Sequence, residues 1–170
     1  MLPGIKITSV SIQLKAISAG DLRQYIELAF CDDNELLTNI HISPGTLTHC
    51  VDHTLGLIDE NREFYKDDME TYVVLKDEKT PIGFTVLIKN ESIPNELYSF
   101  GINTSHRNQE NLLPWLGEIK ERLGDPYYVV LWNKNERAIQ FFKRNGFEEE
   151  RNTNLLGDET KTLLKCQQGD

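Results

Sequence analysis

The sequence predicts an α/β fold with a mixed β-sheet, and three observations support this. The chain has 170 residues and no linker, repeat or low-complexity tract, so we interpret residues 1–170 as one domain. Strand patterns and amphipathic helix patterns alternate in the order β-α-α-β-β-β-α-β-α-β-β. The segment YYVVLW at 127–132 lacks polar alternation, which is typical of a strand buried on both faces in a parallel pair.

The N-terminal elements follow from local patterns. VSIQLKAIS at 10–18 alternates enough to form a first strand. Ser18 and Asp21 then make a capping-box pattern at the start of a first helix. A second helix is predicted from SPG at 43–45, with Ser as N-cap and Pro in the first helical position, to about Arg62.

The next elements are predicted strands and a helix. TYVVLK at 71–76 and PIGFTVLIK at 81–89 flank a charged turn, which predicts an antiparallel hairpin. Gly83 inside the second of these strands indicates a bulge or a close backbone approach. A further strand is predicted at 97–102, followed by a helix that ends near Leu123-Gly124. The last two strands are predicted at 147–151 and 160–166.

The helix before the last two strands has clearly marked ends. Asn133 or Asn135 can cap its N-terminus, and both alternatives remain open from the sequence. Asn145-Gly146 allows a left-handed residue at its C-terminus, and Phe147 can fold back as the hydrophobic contact of that terminus. From the pattern alone, this segment is a well-capped amphipathic helix between two strands.

Composition excludes several classes of protein. Hydrophobic residues make up 39% of the chain and charged residues 26%, which is the balance of a globular protein. The net charge of −9 argues against a nucleic-acid partner and is compatible with a cationic amine. No window has the roughly 20 apolar residues of a membrane span, and the N-terminus lacks a signal-peptide core, so we expect a cytoplasmic protein.

Metal and disulfide sites are not indicated. The cysteines are odd in number and far apart, at Cys31, Cys50 and Cys166, which fits neither a disulfide framework nor a zinc cluster. His49 and His53 lie one turn apart on the second helix and could share a metal, but the sequence offers no third ligand. No metal site is predicted.

One segment carries a resemblance to a known family. YYVVLWNKNERAIQFFKRNGFEEER resembles the strand-helix-strand segment of the GNAT superfamily, the acetyl-CoA-dependent N-acetyltransferases. In that family an Asn opens the helix, an Ala follows three residues later, and a Gly-Phe closes it, which matches Asn135, Ala138, Gly146 and Phe147. The resemblance extends more loosely over nearly the whole chain.

The resemblance implies a single-domain GNAT-like fold with a mixed, mostly antiparallel sheet and helices on both faces. Two parallel strands, here 97–102 and 127–132, would splay apart and receive the pantetheine arm of acetyl-CoA, whose amides bond backbone groups left free by the sheet. The following helix would direct its N-terminus at the pyrophosphate. The cofactor-binding residues implied outside the phosphate loop are Ile102, Asn133, Asn135 and Phe142.

The phosphate loop departs from the family pattern of Gln or Arg, two residues, Gly, one residue, then Gly or Ala. The matching stretch is RNQENL at 107–112, in which Glu110 and Leu112 replace the small residues. Pro114 predicts that the helix starts late, with Asn111 as N-cap and the proline in its first turn. The predicted loop residues are Arg107, Asn108, Gln109, Glu110, Asn111 and Leu112.

The residues for proton transfer also depart from the family. Many members place a Tyr as general acid where this chain has Phe142, which has no proton to donate. Tyr98 is the first replacement predicted, with Tyr127 or Tyr128 as alternatives. Glu96, at the start of the splayed strand, is predicted to be the base that takes a proton from the amine, directly or through water.

Two functions therefore remain open. The first is an N-acyltransferase that transfers acetyl from acetyl-CoA to a small-molecule or peptide amine by direct attack in a ternary complex. The second is a non-catalytic binding module on the same fold, favoured by Glu110, Leu112 and Phe142. The resemblance implies that residues 20–62 and 152–159 line the acceptor side. The expected state is a monomer or homodimer, without a nucleic-acid or membrane partner.

Overall fold

The computed structural model describes residues 11–33, 47–91, 93–150 and 161–166. Within them, seven strands form one sheet in the order β1-β2-β3-β4-β5-β7-β6. The strands are β1 (Ile12–Ala16), β2 (Met69–Lys76), β3 (Thr80–Ile88), β4 (Asn95–Ile102), β5 (Tyr127–Trp132), β6 (Phe147–Glu149) and β7 (Lys161–Cys166). The helices are α1 (Leu22–Phe30), α2 (Leu47–Tyr65), α3 (Gln109–Leu123) and α4 (Glu136–Arg144).

The sheet is mixed and mostly antiparallel, which confirms the predicted fold class. β4 and β5 are its parallel pair, and the other neighbouring strands in the sheet pair antiparallel. The order of strands and longer helices along the chain also agrees with the prediction.

Helices cover both faces of the sheet, and each face has its own core. The α1–α2 cluster lies on one face and the α3–α4 cluster on the other. The α1–α2 cluster is built on Leu22, Ile26, Ala29, Phe30, Val51, Ile58, Met69, Phe84 and Val86. The α3–α4 cluster includes Val74, Leu97, Ile102, Trp115, Ile119, Val129, Leu131, Ile139, Phe142, Phe147 and Leu164.

The prediction that β5 is buried on both faces is wrong. Burial alternates along the strand: Tyr127, Val129 and Leu131 lie in the α3–α4 cluster, whereas Trp132 on the other face is 59% exposed. An apolar run is ambiguous because Tyr, Val and Trp also suit a half-buried strand. β5 pairs in parallel with β4 over a short stretch, but all its residues pair antiparallel with β7.

The starts of α1 and α2 were predicted from capping signals. A 3₁₀ turn over Ala19–Asp21 precedes α1, and the Ser18 side chain makes no capping hydrogen bond, so the capping-box prediction is wrong. The predicted N-terminal signal of the second helix at 43–45 lies outside the described residues, as does the loop at 152–159. α2 is described from Leu47 and ends at Tyr65, beyond the predicted Arg62.

The close backbone approach predicted at Gly83 is confirmed. A Cβ atom at this position would lie 2.1 Å from the carbonyl oxygen of Gly101 on β4, which no real side chain allows. The β2–β3 register also shifts between Val74 and Leu75, next to the pairing of Val74 with Gly83. Gly83 therefore lets the end of β4 approach β3 closely.

α3 begins earlier than predicted, at Gln109, and Asn111 is not its N-cap. Asn108 is the cap, because its Oδ1 accepts the N–H of Asn111 at 3.0 Å. Pro114 lies in the second turn, where its missing N–H costs only the helical bond to the Glu110 carbonyl. The predicted C-terminal stop is confirmed, with Gly124 at φ +70° after Leu123.

None of the described helices combines the length and hydropathy needed to cross a membrane.

Candidate active site

β4 and β5 separate after a short parallel contact. Asn95, Glu96 and Leu97 pair with Tyr127, Tyr128 and Val129, and no pairing continues between the two described strands beyond this point. Backbone groups on their facing edges are therefore left for another partner. The two strands predicted to splay apart thus form one parallel pair that stops at Leu97.

A β-bulge in β4 coincides with this separation. Ser99 pairs with Val86 and Leu97 pairs with Leu87, so Tyr98 is an extra residue opposite β3. Such a bulge bends the strand and re-aims the side chains beyond it. Tyr98 packs against the α1–α2 cluster, whereas Phe100 packs against the α3–α4 cluster.

The N-terminus of α3 lies just beyond the end of β4. Main-chain N–H groups of the loop before it are mostly paired internally, for example Arg107 with the Thr104 carbonyl. In the part of the chain that the structure describes, the N–H groups of Gln109 and Glu110 have no hydrogen-bond partner. The first turn of a helix of 15 residues is a favourable place for an anion.

Glu110 and Leu112, at the positions where the resemblance implies small residues, have different environments. Leu112 is partly buried and packs against the α3–α4 cluster, and Glu110 is exposed. Arg107 donates its Nε–H at 2.7 Å to the carbonyl of Ile102, the last residue of β4. Ile102 itself is buried in the core. The loop therefore has an ordered conformation without glycine.

The two asparagines predicted beside the cofactor differ in their contacts. Asn135 is the N-cap of α4, and its Oδ1 accepts the Ala138 N–H at 3.3 Å, which decides between the two predicted caps. The side-chain Oδ1 of Asn133 instead accepts the hydroxyl of Thr162 on β7. Both asparagines are exposed, so the Asn135 cap leaves its side-chain N–H₂ towards solvent.

Phe142 lies at the centre of an aromatic group in the α3–α4 cluster. Its side chain is 1% exposed, and the ring centroids of Phe147 and Phe100 lie 4.9 and 5.7 Å away. The Phe147 contact also confirms the predicted hydrophobic closure of α4, together with Gly146 at φ +94°. The partly buried apolar side chains that pack against the α3–α4 cluster are Phe100, Leu112, Leu116, Ala138 and Phe141.

Among the carboxyl groups of the described residues, that of Glu96 has the most strongly shifted pKa. It is partly buried on the bulged strand, and burial raises its pKa to about 7, opposed by the ammonium group of Lys161. No hydrogen bond to its carboxylate is found within the described ranges. A carboxyl group with a pKa near neutrality is suited to taking a proton from an amine.

The phenol of Tyr98 is engaged with α2. Its hydroxyl donates to the Leu57 carbonyl at 3.3 Å and accepts the side-chain N–H of Asn61 at 2.5 Å. The Tyr65 ring lies 6.2 Å from the Tyr98 ring in an edge-on arrangement. Burial raises the pKa of Tyr98, with a smaller effect of Glu96 in the same direction. Tyr98 therefore links β4 to α2 by hydrogen bonds, two residues after Glu96 on the same strand.

The other two tyrosines occupy different environments. Tyr127 is 1% exposed, and burial raises its pKa, followed by the effect of Cys166. Tyr128 pairs in register with Glu96, and the Lys165 ammonium lies 5.9 Å from its ring centroid. Tyr128 is thus the neighbour of Glu96 across the strand pair, whereas Tyr127 belongs to the core.

Sequence reasoning missed Asn61 and Tyr65 of α2, which lie one helical turn apart and face Tyr98. The available signal was this spacing of a polar and an aromatic residue on one helix. It also missed Asn103, which directly follows β4. Among the residues that the structure describes, no group of three His, Cys, Asp or Glu side chains could hold a metal ion.

Comparisons with known proteins support the fold alone. No family model matches the sequence, and no curated protein sequence matches it. Many solved structures share its fold.

Acetyltransferases are among these structures. An acetyltransferase from Thermus thermophilus superposes with a TM-score of 0.65 at 17% identity, covering 91% of this chain and 96% of its own. The PaiA N-acetyltransferase of Thermoplasma acidophilum, in complex with coenzyme A, has a TM-score of 0.63 at 19% identity, with 93% and 99% covered. A spermidine N-acetyltransferase SpeG chimera from Vibrio cholerae and hSSAT has a TM-score of 0.59 at 19% identity, with 91% and 93% covered.

Proposed function

We propose that the protein is an acyl-CoA-dependent N-acyltransferase that transfers acetyl from acetyl-CoA to an amine by direct attack in a ternary complex. The chain has the GNAT fold, as the resemblance predicted. One observation carries the proposal. The carboxyl group of Glu96, whose pKa is raised to about 7, lies where β4 and β5 separate.

The residues present fit coenzyme A. The unpaired N–H groups of Gln109 and Glu110 at the α3 N-terminus suit a diphosphate. The separated edges of β4 and β5 offer backbone groups to the amides of a pantetheine arm. The Asn108 side chain supports this loop by capping α3. The coenzyme A complex of the structural neighbour from Thermoplasma acidophilum supports this assignment.

Glu96 is the proposed base. Bound acetyl-CoA would supply a thioester, an activated acyl group whose thiolate is a tolerable leaving group. Glu96 takes the proton that the amine nitrogen loses, directly or through one water, and its pKa keeps a substantial carboxylate fraction at neutral pH. Tyr98 and Asn61 hold the bulged strand against α2 and thereby orient Glu96.

No strong general acid is required. Phe142 has no proton and Tyr127 is buried in the core, whereas the Tyr98 proton is directed at the Leu57 carbonyl. We infer that the departing thiolate is not protonated from the α3–α4 side. Tyr128, beside Glu96, stays the alternative donor.

The proposed acceptor is a small-molecule amine. The rings of Tyr65 and Tyr98 and the Glu96 carboxyl group form a site suited to an ammonium group before it loses its proton. A structural neighbour is a spermidine N-acetyltransferase, which supports amines of this general kind. The protein's net charge of −9 acts in the same direction.

Calorimetry with acetyl-CoA and CoA at physiological salt tests the proposal. We expect saturable binding of both, followed by thiol release from acetyl-CoA in the presence of at least one amine of a panel of diamines, monoamines and peptides. Absence of saturable binding below millimolar concentration would overturn the cofactor assignment.

The second candidate function is a non-catalytic binding module. It is favoured by the loop before α3, whose N–H groups are mostly paired within the protein and leave few donors for a diphosphate. Turnover with any amine eliminates this candidate, whereas CoA binding without turnover across the panel supports it.

A further inference from the structure

Asn103 is a buried polar residue that joins α1 to the loop between β4 and α3. It follows β4 directly and is 4% exposed. Its Nδ2 group donates to the Ala29 carbonyl at 2.8 Å and to Asp32 Oδ1 at 2.9 Å. Its Oδ1 accepts both the N–H and the hydroxyl of Ser105, at 2.9 and 2.8 Å. One amide thus caps the C-terminal end of α1 and starts the loop turn.

Asp33 makes a second connection between the same two segments. The residue is 3% exposed, and its Oδ2 accepts the Thr104 N–H at 2.7 Å. Burial of a charged group is costly unless hydrogen bonds compensate for the lost water. The N–H groups of Thr104 and Ser105 are therefore oriented by side chains, Asp33 and Asn103, that are themselves held at the end of α1. We call this pair the Asp33–Asn103 anchor.

The far end of the loop is less completely bonded. Asn111 is 1% exposed, and its Nδ2 donates to the His106 carbonyl at 3.0 Å. Its Oδ1 is buried without a hydrogen-bond partner among the described atoms. Because a fully bonded amide constrains its surroundings more than a half-bonded one, the Asp33–Asn103 anchor sets the loop position from the α1 side.

We propose that Asp33 and Asn103 are positioning residues for the cofactor site, and this rests on the proposed function. They do not touch the diphosphate. They hold residues 103–107 so that the unpaired N–H groups of Gln109 and Glu110 lie at one defined place. The ligand chemistry to which they matter is a diphosphate at the α3 N-terminus, and the helix through which they act is α1, on the opposite face of the sheet.

The test compares Asn103→Ala with a matched control at the other end of β4. Asn95 also bridges elements through its amide, with Nδ2 donating to the Leu123 carbonyl at 2.8 Å and Oδ1 accepting the Asn90 N–H at 3.2 Å. We expect both variants to lower the melting temperature. CoA affinity should fall about tenfold or more in Asn103→Ala and stay unchanged in Asn95→Ala.

Two substitutions of Asp33 distinguish the effect of its hydrogen bond on the loop from the effect of its charge. Asp33→Ala removes the acceptor of the Thr104 N–H and should weaken CoA binding, whereas Asp33→Asn keeps an acceptor oxygen and should restore most of the affinity. Pantetheine, which lacks the diphosphate, should bind the variants as it binds the wild type. Equal CoA affinity for Asn103→Ala and the wild type would overturn the proposal, as would equal losses in the Asn103 and Asn95 variants.

Hydrogen exchange distinguishes this result from failure of the proposed function. If the wild type does not bind CoA, the proposed function fails. The effect of the anchor on the loop can then still be measured by hydrogen exchange in the protein without ligand. Asn103→Ala should then speed amide exchange at Thr104, Ser105 and Arg107, whose N–H groups are hydrogen-bonded in the wild type, while Asn95→Ala should not. Unchanged exchange at these amides would overturn the Asp33–Asn103 anchor itself.

Discussion

The two faces of the sheet differ sharply in chemistry where β4 and β5 separate. On the α3–α4 side, Phe142 and its neighbours form an aromatic core. On the α1–α2 side, Glu96, Tyr65 and Tyr98 bring titratable groups together, and burial raises the pKa of each. Under the proposed function, proton transfer therefore belongs to the α2 side, while the α3–α4 side supplies shape and apolar surface.

Removing the carboxyl group of Glu96 from the α1–α2 side should have the largest effect on the rate of acetyl transfer. Glu96→Gln keeps the size of the side chain but removes the base, so we expect acetyl transfer to fall about a hundred- to ten-thousandfold with little change in CoA affinity. In the wild type, the rate at saturating amine should rise through about pH 7, because the carboxyl group must lose its proton to act as a base. The variant should lack this inflection. A full rate in the variant would remove Glu96 from the mechanism.

The pH dependence of stability provides a second test of Glu96→Gln that does not depend on activity. Burial raises the folded-state pKa of Glu96 above its unfolded value, so its contribution to stability is present at low pH and is lost as the pH rises through about 7. Glu96→Gln should therefore raise the melting temperature relative to the wild type above neutral pH more than it does well below. Chemical denaturation at several pH values measures this difference.

Asn135→Asp tests the cofactor side at the exposed end of α4. Asp is an equally good N-cap, so the melting temperature should not change. Removing an amide donor and placing a negative charge beside an anionic ligand should weaken CoA binding roughly ten- to a hundredfold. Asn135→Ser, a neutral cap without the amide donor, separates the two causes. Wild-type affinity in both variants would reduce Asn135 to a helix cap.

A hydroxyl group on the α3–α4 side should destabilise the protein without increasing its activity. Phe142→Tyr places a polar group where the ring is 1% exposed and surrounded by aromatic side chains, at an expected cost of about 1 to 3 kcal/mol. Phe141→Tyr is the matched control, because Phe141 is only partly buried and its hydroxyl can reach water. Faster transfer in Phe142→Tyr would contradict the division of roles between the two faces.

The smallest effect is expected from Tyr98→Phe. The substitution removes the contacts with Asn61 and Leu57, which should cost about 1 kcal/mol of stability and change the transfer rate only a few-fold. Tyr128→Phe provides the comparison, because Tyr128 lies beside Glu96 across the strand pair. A large loss of rate in Tyr98→Phe with intact CoA affinity would instead identify Tyr98 as the general acid.

Much of the fold could be predicted because its signals are local. The order of the elements, the close approach at Gly83 and the C-terminal stop at Gly124 follow from hydrophobic periodicity and backbone conformation. The start of α3 was mispredicted because Pro114 is a strong local signal, whereas the Asn108 cap satisfies the helix terminus well enough to tolerate it. β5 was mispredicted because an apolar run does not show which of its faces is covered.

The candidate site was only partly predictable. The position of Glu96 and Tyr98 on the predicted splayed strand indicates them as candidate site residues. The sequence could not show that Tyr98 is an extra residue in a bulge. The bulge depends on the register between β3 and β4, which is set by pairing along both strands. The roles of Asn61 and Asn103 were missed for the same reason, since their partners come from other elements.

Local sequence patterns are sufficient for the α/β class and for the C-terminal end of α4, because the left-handed Gly146 and Phe147 directly follow the helix. The environments of Glu96 and Asn103 depend on the tertiary structure. The pKa of Glu96 depends on burial by distant segments, and Asn103 finds its partner in Ala29, 74 residues earlier. Desolvation and long-range hydrogen bonds exist only after the chain has folded, so no local pattern encodes them.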